Sequence, residues 1–112
     1  MSFDKLSPEE KIRIIYLLLK DMISVELLTE EEVYTVLEKL EKIFDISDDE
    51  LQAIITSLEV DGLLEKKDIF LDDKNKKEIE DYIIQLIKGS KNKISSDDLE
   101  KLLDYLNEKY PD

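Results

Sequence analysis

The stretch that decides the fold is residues 47–71, SDDELQAIITSLEVDGLLEKKDIFL. Ser47 and Glu50 have the spacing of a capping box, which starts a helix. Apolar residues then recur at helical spacing up to Gly62, a residue type that commonly ends helices in the left-handed conformation. Residues 63–71 carry apolar ends around a polar centre, which is the pattern of a short two-stranded hairpin. The stretch therefore predicts a helix that is followed by a hairpin.

Upstream, Ser7 and Pro8 predict the start of a first helix that runs to about residue 22. Its apolar residues occupy two faces, one with Ile12, Ile15, Tyr16 and Leu19 and the other with Ile14, Leu17 and Leu18. A helix that is apolar on two faces is either the central helix of a domain or half of a dimer seam. We prefer the central position, and the seam through Ile14, Leu17 and Leu18 is the alternative.

The next two segments carry different periods. Residues 23–27 alternate apolar and polar side chains, which predicts a short strand, with continuation of the first helix as the alternative. Thr29 and Glu32 form a second capping-box pattern and start a second helix, whose apolar stripe ends at Ile43 or Phe44. The chain thus predicts two helices before residue 47, with a short strand between them.

Two more helices are predicted after the hairpin. Asp72 or Asp73 can cap a fourth helix that stops at Gly89. Ser95 and Asp98 repeat the capping box and open a fifth helix. Together with the preceding elements they predict a single domain over residues 1–112, with a core over residues 8–71 and a C-terminal helical extension over residues 72–110.

The composition is strongly acidic, with 29 Asp and Glu against 16 Lys and Arg and a formal net charge of −13. Such a surface repels phosphate backbones and anionic lipid, and it favours basic protein surfaces. The chain has no cysteine, no signal-peptide pattern and no apolar run that could cross a bilayer, which predicts a cytoplasmic protein. Its richness in Lys, Glu and Ile is typical of thermophiles, and an AT-rich genome is the alternative explanation.

No catalytic constellation is present in the sequence. Without His or Cys, the usual general bases and thiolate nucleophiles are missing. Residues 45–50 resemble a calcium loop superficially, but they lack its central Gly and distal Glu, and helix capping explains them better. We therefore expect no enzyme activity, no metal site and no cofactor.

Residues 50–65, ELQAIITSLEVDGLLE, resemble the recognition helix and first wing strand of the winged helix-turn-helix superfamily. The resemblance covers about residues 8–71, and residues 23–27 would be the small first strand of that fold. It implies a mainly α protein with a core of three helices plus a short β-hairpin, followed by two C-terminal helices. Members of this superfamily serve either as DNA readers or as protein–protein interaction modules.

The charge of the same stretch departs from that of a DNA reader. Residues 43–65 contain seven acidic residues and no Lys, Arg or His. Phosphate contacts by cations supply most of the affinity for DNA, so the sequence predicts against direct nucleic-acid binding. If the chain did bind nucleic acid, the candidate residues would be Lys66, Lys67, Gln52 and Thr56.

The leading hypothesis is a non-catalytic protein–protein interaction module, an acidic accessory subunit that docks on a basic surface of a larger, nucleic-acid-handling assembly. The alternatives are a dimeric DNA-binding transcription regulator and an acidic DNA mimic of viral or mobile-element origin, so the chain is predicted to be a monomer or a homodimer. The predicted acidic face consists of Glu30, Glu31, Glu38, Glu41, Asp48, Asp49, Glu59 and Asp61. The apolar candidates for partner contact are Tyr34, Ile46, Val60 and Phe70.

Overall fold

The computed structural model describes residues 3–61, 73–89 and 94–110, and nearly all of them are helical. A 3-10 helix, Phe3–Lys5, precedes five α-helices. These are α1 (Pro8–Ser24), α2 (Glu30–Phe44), α3 (Asp48–Asp61), α4 (Asp73–Gly89) and α5 (Ser96–Lys109). The predicted mainly α fold is confirmed. No strand occurs within these ranges, and the predicted hairpin over residues 63–71 lies outside them.

Side-chain caps start the helices where the sequence predicts them. The Thr29 hydroxyl accepts a hydrogen bond from the Glu32 backbone N–H at 3.1 Å, and the Glu32 carboxylate accepts one from the Thr29 N–H at 2.9 Å. Ser95 and Asp98 make the same reciprocal pair at the start of α5. These bonds satisfy backbone donors that would otherwise lack partners in the first helical turn.

The predicted strand over residues 23–27 is wrong, because α1 continues to Ser24 and the chain then turns. Glu26 adopts a left-handed conformation with φ 63°. The Leu27 N–H donates to the Met22 carbonyl at 2.9 Å, and the Glu26 N–H donates to the Ile23 carbonyl at 3.0 Å. This pair of bonds is a Schellman closure, which satisfies carbonyls at the helix end. The alternation of apolar residues therefore reflects a helix terminus rather than an extended segment.

Helix α1 is the central helix of the domain. It contacts α2, α3 and α4, whereas α5 packs on α2, α4 and the 3-10 helix. Both apolar faces of α1 are covered, since Ile12, Ile15 and Leu19 are 0% exposed and Ile14 and Leu18 are 1% exposed. The preferred interpretation of the sequence, a central helix, is confirmed.

The N-terminal segment and the C-terminal helices complete the same core. Phe3 is fully buried, and its backbone N–H donates to the Tyr110 carbonyl at 3.1 Å, which joins the two ends of the chain. The rings of Tyr82 and Tyr105 stack with centroids 4.2 Å apart, between α4 and α5. Within the described ranges, no helix is both long and apolar enough to span a bilayer.

Candidate partner-binding groove

The main candidate site is an open groove of about 470 Å³ that α1, α2 and α3 enclose, called here the three-helix groove. Its lining residues are Tyr16, Lys20, Ile23 and Ser24 of α1, Glu30, Val33, Tyr34 and Leu37 of α2, and Gln52, Ile55 and Glu59 of α3. The apolar members form the floor, while exposed Lys20, Glu30, Gln52 and Glu59 stand at the rim. The arrangement is an apolar cleft with a charged border.

Helical periodicity explains why these residues meet. The α2 contributors, at positions 30, 33, 34 and 37, follow the spacing of one helix face, as do positions 52, 55 and 59 of α3. The core-facing stripes of both helices pack on α1, so each helix turns the border of its stripe towards the groove. Ile55 shows the result, because its side chain is only partly buried and packs against the core from the groove side.

One end of the groove is bordered by a polar network around Glu59. The Tyr16 hydroxyl donates to Glu59 Oε1 at 3.3 Å, and Lys20 Nζ lies 3.5 Å from the same oxygen. Lys20 Nζ also lies 5.8 Å from the centre of the Tyr16 ring. Burial is the main cause that raises the pKa of Tyr16, so its hydroxyl keeps its proton and remains a donor. At this end the carboxylate is neutralised by a neighbouring cation.

The acidic end of the groove is its border at Tyr34 of α2. Tyr34 is 53% exposed, which is unusual for a large side chain beside an apolar floor. The negative charge of Glu38, one turn further along α2, and then that of Asp48 raise the pKa of Tyr34. No ion pair joins Glu30, Glu38 or Asp48 to a cation of the described ranges. This end therefore presents an exposed aromatic ring among uncompensated negative charges.

Glu41 is an electrostatically unfavourable member of the acidic face. Its Oε1 atom is buried and has no hydrogen-bond partner within the part of the chain that the structure describes. Burial, followed by the neighbouring Asp48 carboxylate, raises the pKa of Glu41. Two ionised carboxylates only accept hydrogen bonds. Glu41 and Asp48 therefore form a hydrogen bond with each other only when one of them is protonated. The residue contributes negative potential to the face at a cost in stability.

Burial of the ionised, unpaired carboxylate predicts that Glu41→Gln raises the free energy of unfolding at neutral pH. A raised folded-state pKa means that ionised Glu41 opposes folding at a pH above that pKa. The penalty fades as the pH falls through the folded-state pKa and is gone below about 4.3, the pKa of an unfolded Glu. We expect a gain in the free energy of unfolding of less than about 1 kcal/mol at pH 7 that disappears near pH 4. Thermal unfolding followed by circular dichroism measures it, with Glu31→Gln as the exposed control. A destabilised Glu41→Gln at pH 7 would contradict the assignment.

The remaining predicted site residues are dispersed. Glu31 lies beside Thr35 and Lys88 in a separate cleft, and Ile46 lines a second cavity near Arg13. Asp49 and Thr56 are exposed on α3. The side chains of Val60 and Asp61, and the whole of Lys66, Lys67 and Phe70, lie outside the described residues. The structure thus brings Glu30, Tyr34, Gln52 and Glu59 together in the groove, and the charges of Glu38, Asp48 and Glu41 act on Tyr34 at its acidic end.

The dimer-seam prediction is corrected by the burial of its residues. Ile14 and Leu18 are each 1% exposed within a single chain, and Leu17 packs partly against the same core. Helix α1 carries apolar residues on two faces because other parts of the same chain cover both of these faces. A second copy has no access to Ile14 or Leu18 without unfolding the chain.

Ser47 and Glu50 cap the start of α3 as the sequence predicts. The Ser47 hydroxyl accepts from the Glu50 N–H at 3.1 Å, and Glu50 Oε1 lies 3.5 Å from the Ser47 N–H. Among the described residues, no cluster of three or more His, Cys, Asp or Glu side chains has the arrangement of a metal site.

Several groove residues are missed by the sequence analysis. Tyr16 lies on an apolar face of the predicted first helix, Ile55 is one of the apolar residues at helical spacing before Gly62, Lys20 carries no signal of its own, and Ile23 falls in the predicted strand. The one available signal of the groove is Tyr16, which stands within a run of Ile and Leu. A tyrosine hydroxyl at the border of a core needs a hydrogen-bond partner. Its partner Glu59 lies 43 residues away in sequence, so the pair is visible only in the fold.

Comparison of the chain with protein-family models, curated proteins and solved structures found no significant match.

Proposed function

We propose that this chain is a non-catalytic protein–protein interaction module, a small acidic accessory subunit that docks on a basic surface of a larger assembly. The docking surface consists of the three-helix groove and the carboxylates at its acidic end. The winged-helix resemblance of residues 8–71 belongs to the proposal, since three helices occur in the expected order. The larger assembly is proposed to handle nucleic acid, in keeping with that resemblance.

The observation that carries the proposal is the position of Tyr34. Its exposed ring lines the apolar groove, and the negative charges of Glu38 and Asp48 act on it. Tyrosine is a preferred anchor in protein interfaces, because it buries a large area at low conformational cost while keeping a polar tip. Uncompensated carboxylates around such an anchor steer a basic partner towards it and raise the association rate.

Helix α3 supplies a reason against direct DNA reading. It contains no Lys or Arg, and its first turn holds Asp48, Asp49 and Glu50. A recognition helix needs nearby cations that neutralise phosphates. Gln52, one of the two α3 residues in the nucleic-acid alternative, lines the groove between helices. The carboxylates of α3 would repel a duplex at the distance where that side chain reads bases.

Affinity capture tests the proposal. The tagged chain is incubated with lysate of its source cells at about 50 mM and about 500 mM salt, where the screening length falls from roughly 14 Å to roughly 4 Å. We expect a stoichiometric basic protein at low salt that is released at high salt, and no retardation of duplex DNA at low salt. Retardation of DNA without a retained protein would overturn the proposal in favour of the transcription-regulator alternative. A partner that binds DNA and is displaced from the chain by duplex DNA would instead favour the mimic.

A further inference from the structure

We propose that the three-helix groove receives an amphipathic α-helix of the partner, with the cationic end of that helix over Tyr34. The inference rests on the proposed function and specifies which structure the basic partner presents. It is carried by the composition of the groove walls, the length of the groove and the unequal charge of its two ends.

The walls favour a helix over an extended segment. Every groove-lining residue belongs to α1, α2 or α3, so nearly all backbone groups along the walls are already hydrogen-bonded within helices. An extended peptide gains affinity mainly from backbone bonds to the free edge of a sheet, and no strand occurs among residues 3–61, 73–89 and 94–110. A helix satisfies its own backbone and needs only side-chain packing from its receptor.

The dimensions fit two turns of helix. Positions 52 and 59 bound the groove on α3, and seven residues of helix span roughly 10 Å. A partner helix covers that length with apolar residues at positions i, i+3 or i+4, and i+7, which is the spacing by which helices anchor in apolar grooves. The floor residues Val33, Leu37 and Ile55 supply the apolar surface that these anchors require.

The charges of the two ends orient the occupant. At the Glu59 end, Lys20 lies 3.5 Å from Glu59 Oε1 and neutralises it. At the Tyr34 end, Glu38 and Asp48, whose charges act on Tyr34, have no cationic partner in the described ranges. A cationic side chain gains more beside unpaired carboxylates than beside an ion pair. The basic residues of the partner helix therefore lie over Tyr34, and its neutral end lies over Tyr16.

The test uses two synthetic peptides of about 18 residues, a length of roughly 27 Å as a helix. One peptide carries Leu and Ile at i, i+3, i+4 and i+7 with lysines towards one end. The other has the same composition with the apolar period scrambled. Fluorescence anisotropy with the full chain measures both affinities at low salt. We expect the periodic peptide to bind at least about 10-fold more tightly, because only its apolar residues share one face.

Variants of the chain locate the bound peptide. Ile55→Glu places a charge in the groove floor and is expected to weaken the periodic peptide by about 10- to 30-fold, as for a central interface residue. Leu27→Glu adds the same charge at an exposed apolar residue outside the groove, and we expect it to leave the affinity nearly unchanged. Tyr34→Ala repeats the test, with Val25→Ala as its control. These side chains are 53% and 56% exposed, so their truncation leaves the fold intact.

The outcomes separate this inference from the proposed function. Equal binding of both peptides, or equal loss in Ile55→Glu and Leu27→Glu, overturns the helix-in-groove assignment while a salt-sensitive basic partner still supports the docking role. Failure of both peptides to bind at low salt also overturns the assignment. Loss of the periodic peptide in Tyr34→Ala but not in Val25→Ala supports it.

Discussion

Ile14→Ala lowers the free energy of unfolding by about 2–5 kcal/mol and leaves the unfolding midpoint independent of protein concentration. The Ile14 side chain is 1% exposed in the single chain, so its truncation leaves a cavity between α1 and its neighbours. A domain of this size is stabilised by about 5–15 kcal/mol in total, so the loss is a large part of its stability. Urea unfolding at two protein concentrations measures both quantities.

Leu17→Ala is the matched control for this prediction. Leu17 belongs to the same apolar face of α1, but it is only partly buried. A monomer core therefore predicts a smaller loss for Leu17→Ala than for Ile14→Ala. A dimer seam predicts comparable losses, a midpoint that rises with protein concentration and a native mass of two copies. That second set of results would contradict the central position of α1.

The helices were predictable because their signals are local. Each capping box satisfies the first backbone N–H groups of its own helix, as in Thr29 with Glu32 and in Ser95 with Asp98. All residues of a capping box lie within four consecutive positions, so the motif is visible in the sequence. The end of α1 was not predictable in the same way. A left-handed closing residue is usually Gly, whereas here Glu26 adopts that conformation, and the sequence therefore gives no stop signal.

Burial of the N-terminal segment was also invisible in the sequence. Phe3 precedes the first periodic segment, and nothing local indicates that it is covered by the C-terminal part of the chain. The same limit applies to the three-helix groove. Tyr16, Tyr34 and Ile55 come from three helices, and only the packing of these helices decides that their side chains border one cleft. Periodicity identifies the face of each helix but not which faces meet.

The charge pattern of the sequence favours one class of function, whereas the predicted fold is compatible with two. A capped helix before a glycine fits a DNA reader and a protein-binding module equally. The absence of cations in α3 favours the protein-binding module, because phosphates require neutralisation. Glu38 lies one turn after Tyr34 on α2, a relation that is visible in the sequence, whereas Asp48 belongs to α3 and its charge acts on the same tyrosine only in the fold.

The second large effect is expected from the double charge reversal Glu38→Lys with Asp48→Lys. It replaces two attractions towards a basic partner by two repulsions, and like charges brought together at an interface cost several kcal/mol. We expect the affinity for the captured basic partner to fall by at least about 100-fold, which corresponds to about 2.7 kcal/mol. Loss of Asp48 from the first turn of α3 costs about 0.3–1 kcal/mol of helix stability, which a domain of this size tolerates.

Glu100→Lys with Asp104→Lys is the matched control. Both residues are exposed on α5, and the change in net charge is the same. Circular dichroism establishes that each variant is folded before binding is measured. The control weakens the complex only through the net charge of the chain, an effect that salt largely screens at such distances.

The most direct test of the docking surface is therefore the dissociation constant of the captured partner, measured for the wild type and both double variants at about 150 mM salt. We predict a loss of at least about 100-fold for Glu38→Lys with Asp48→Lys and of less than about 3-fold for Glu100→Lys with Asp104→Lys. Equal losses in the two folded variants would contradict the account, because they would show that net charge, and not the carboxylates beside Tyr34, holds the partner.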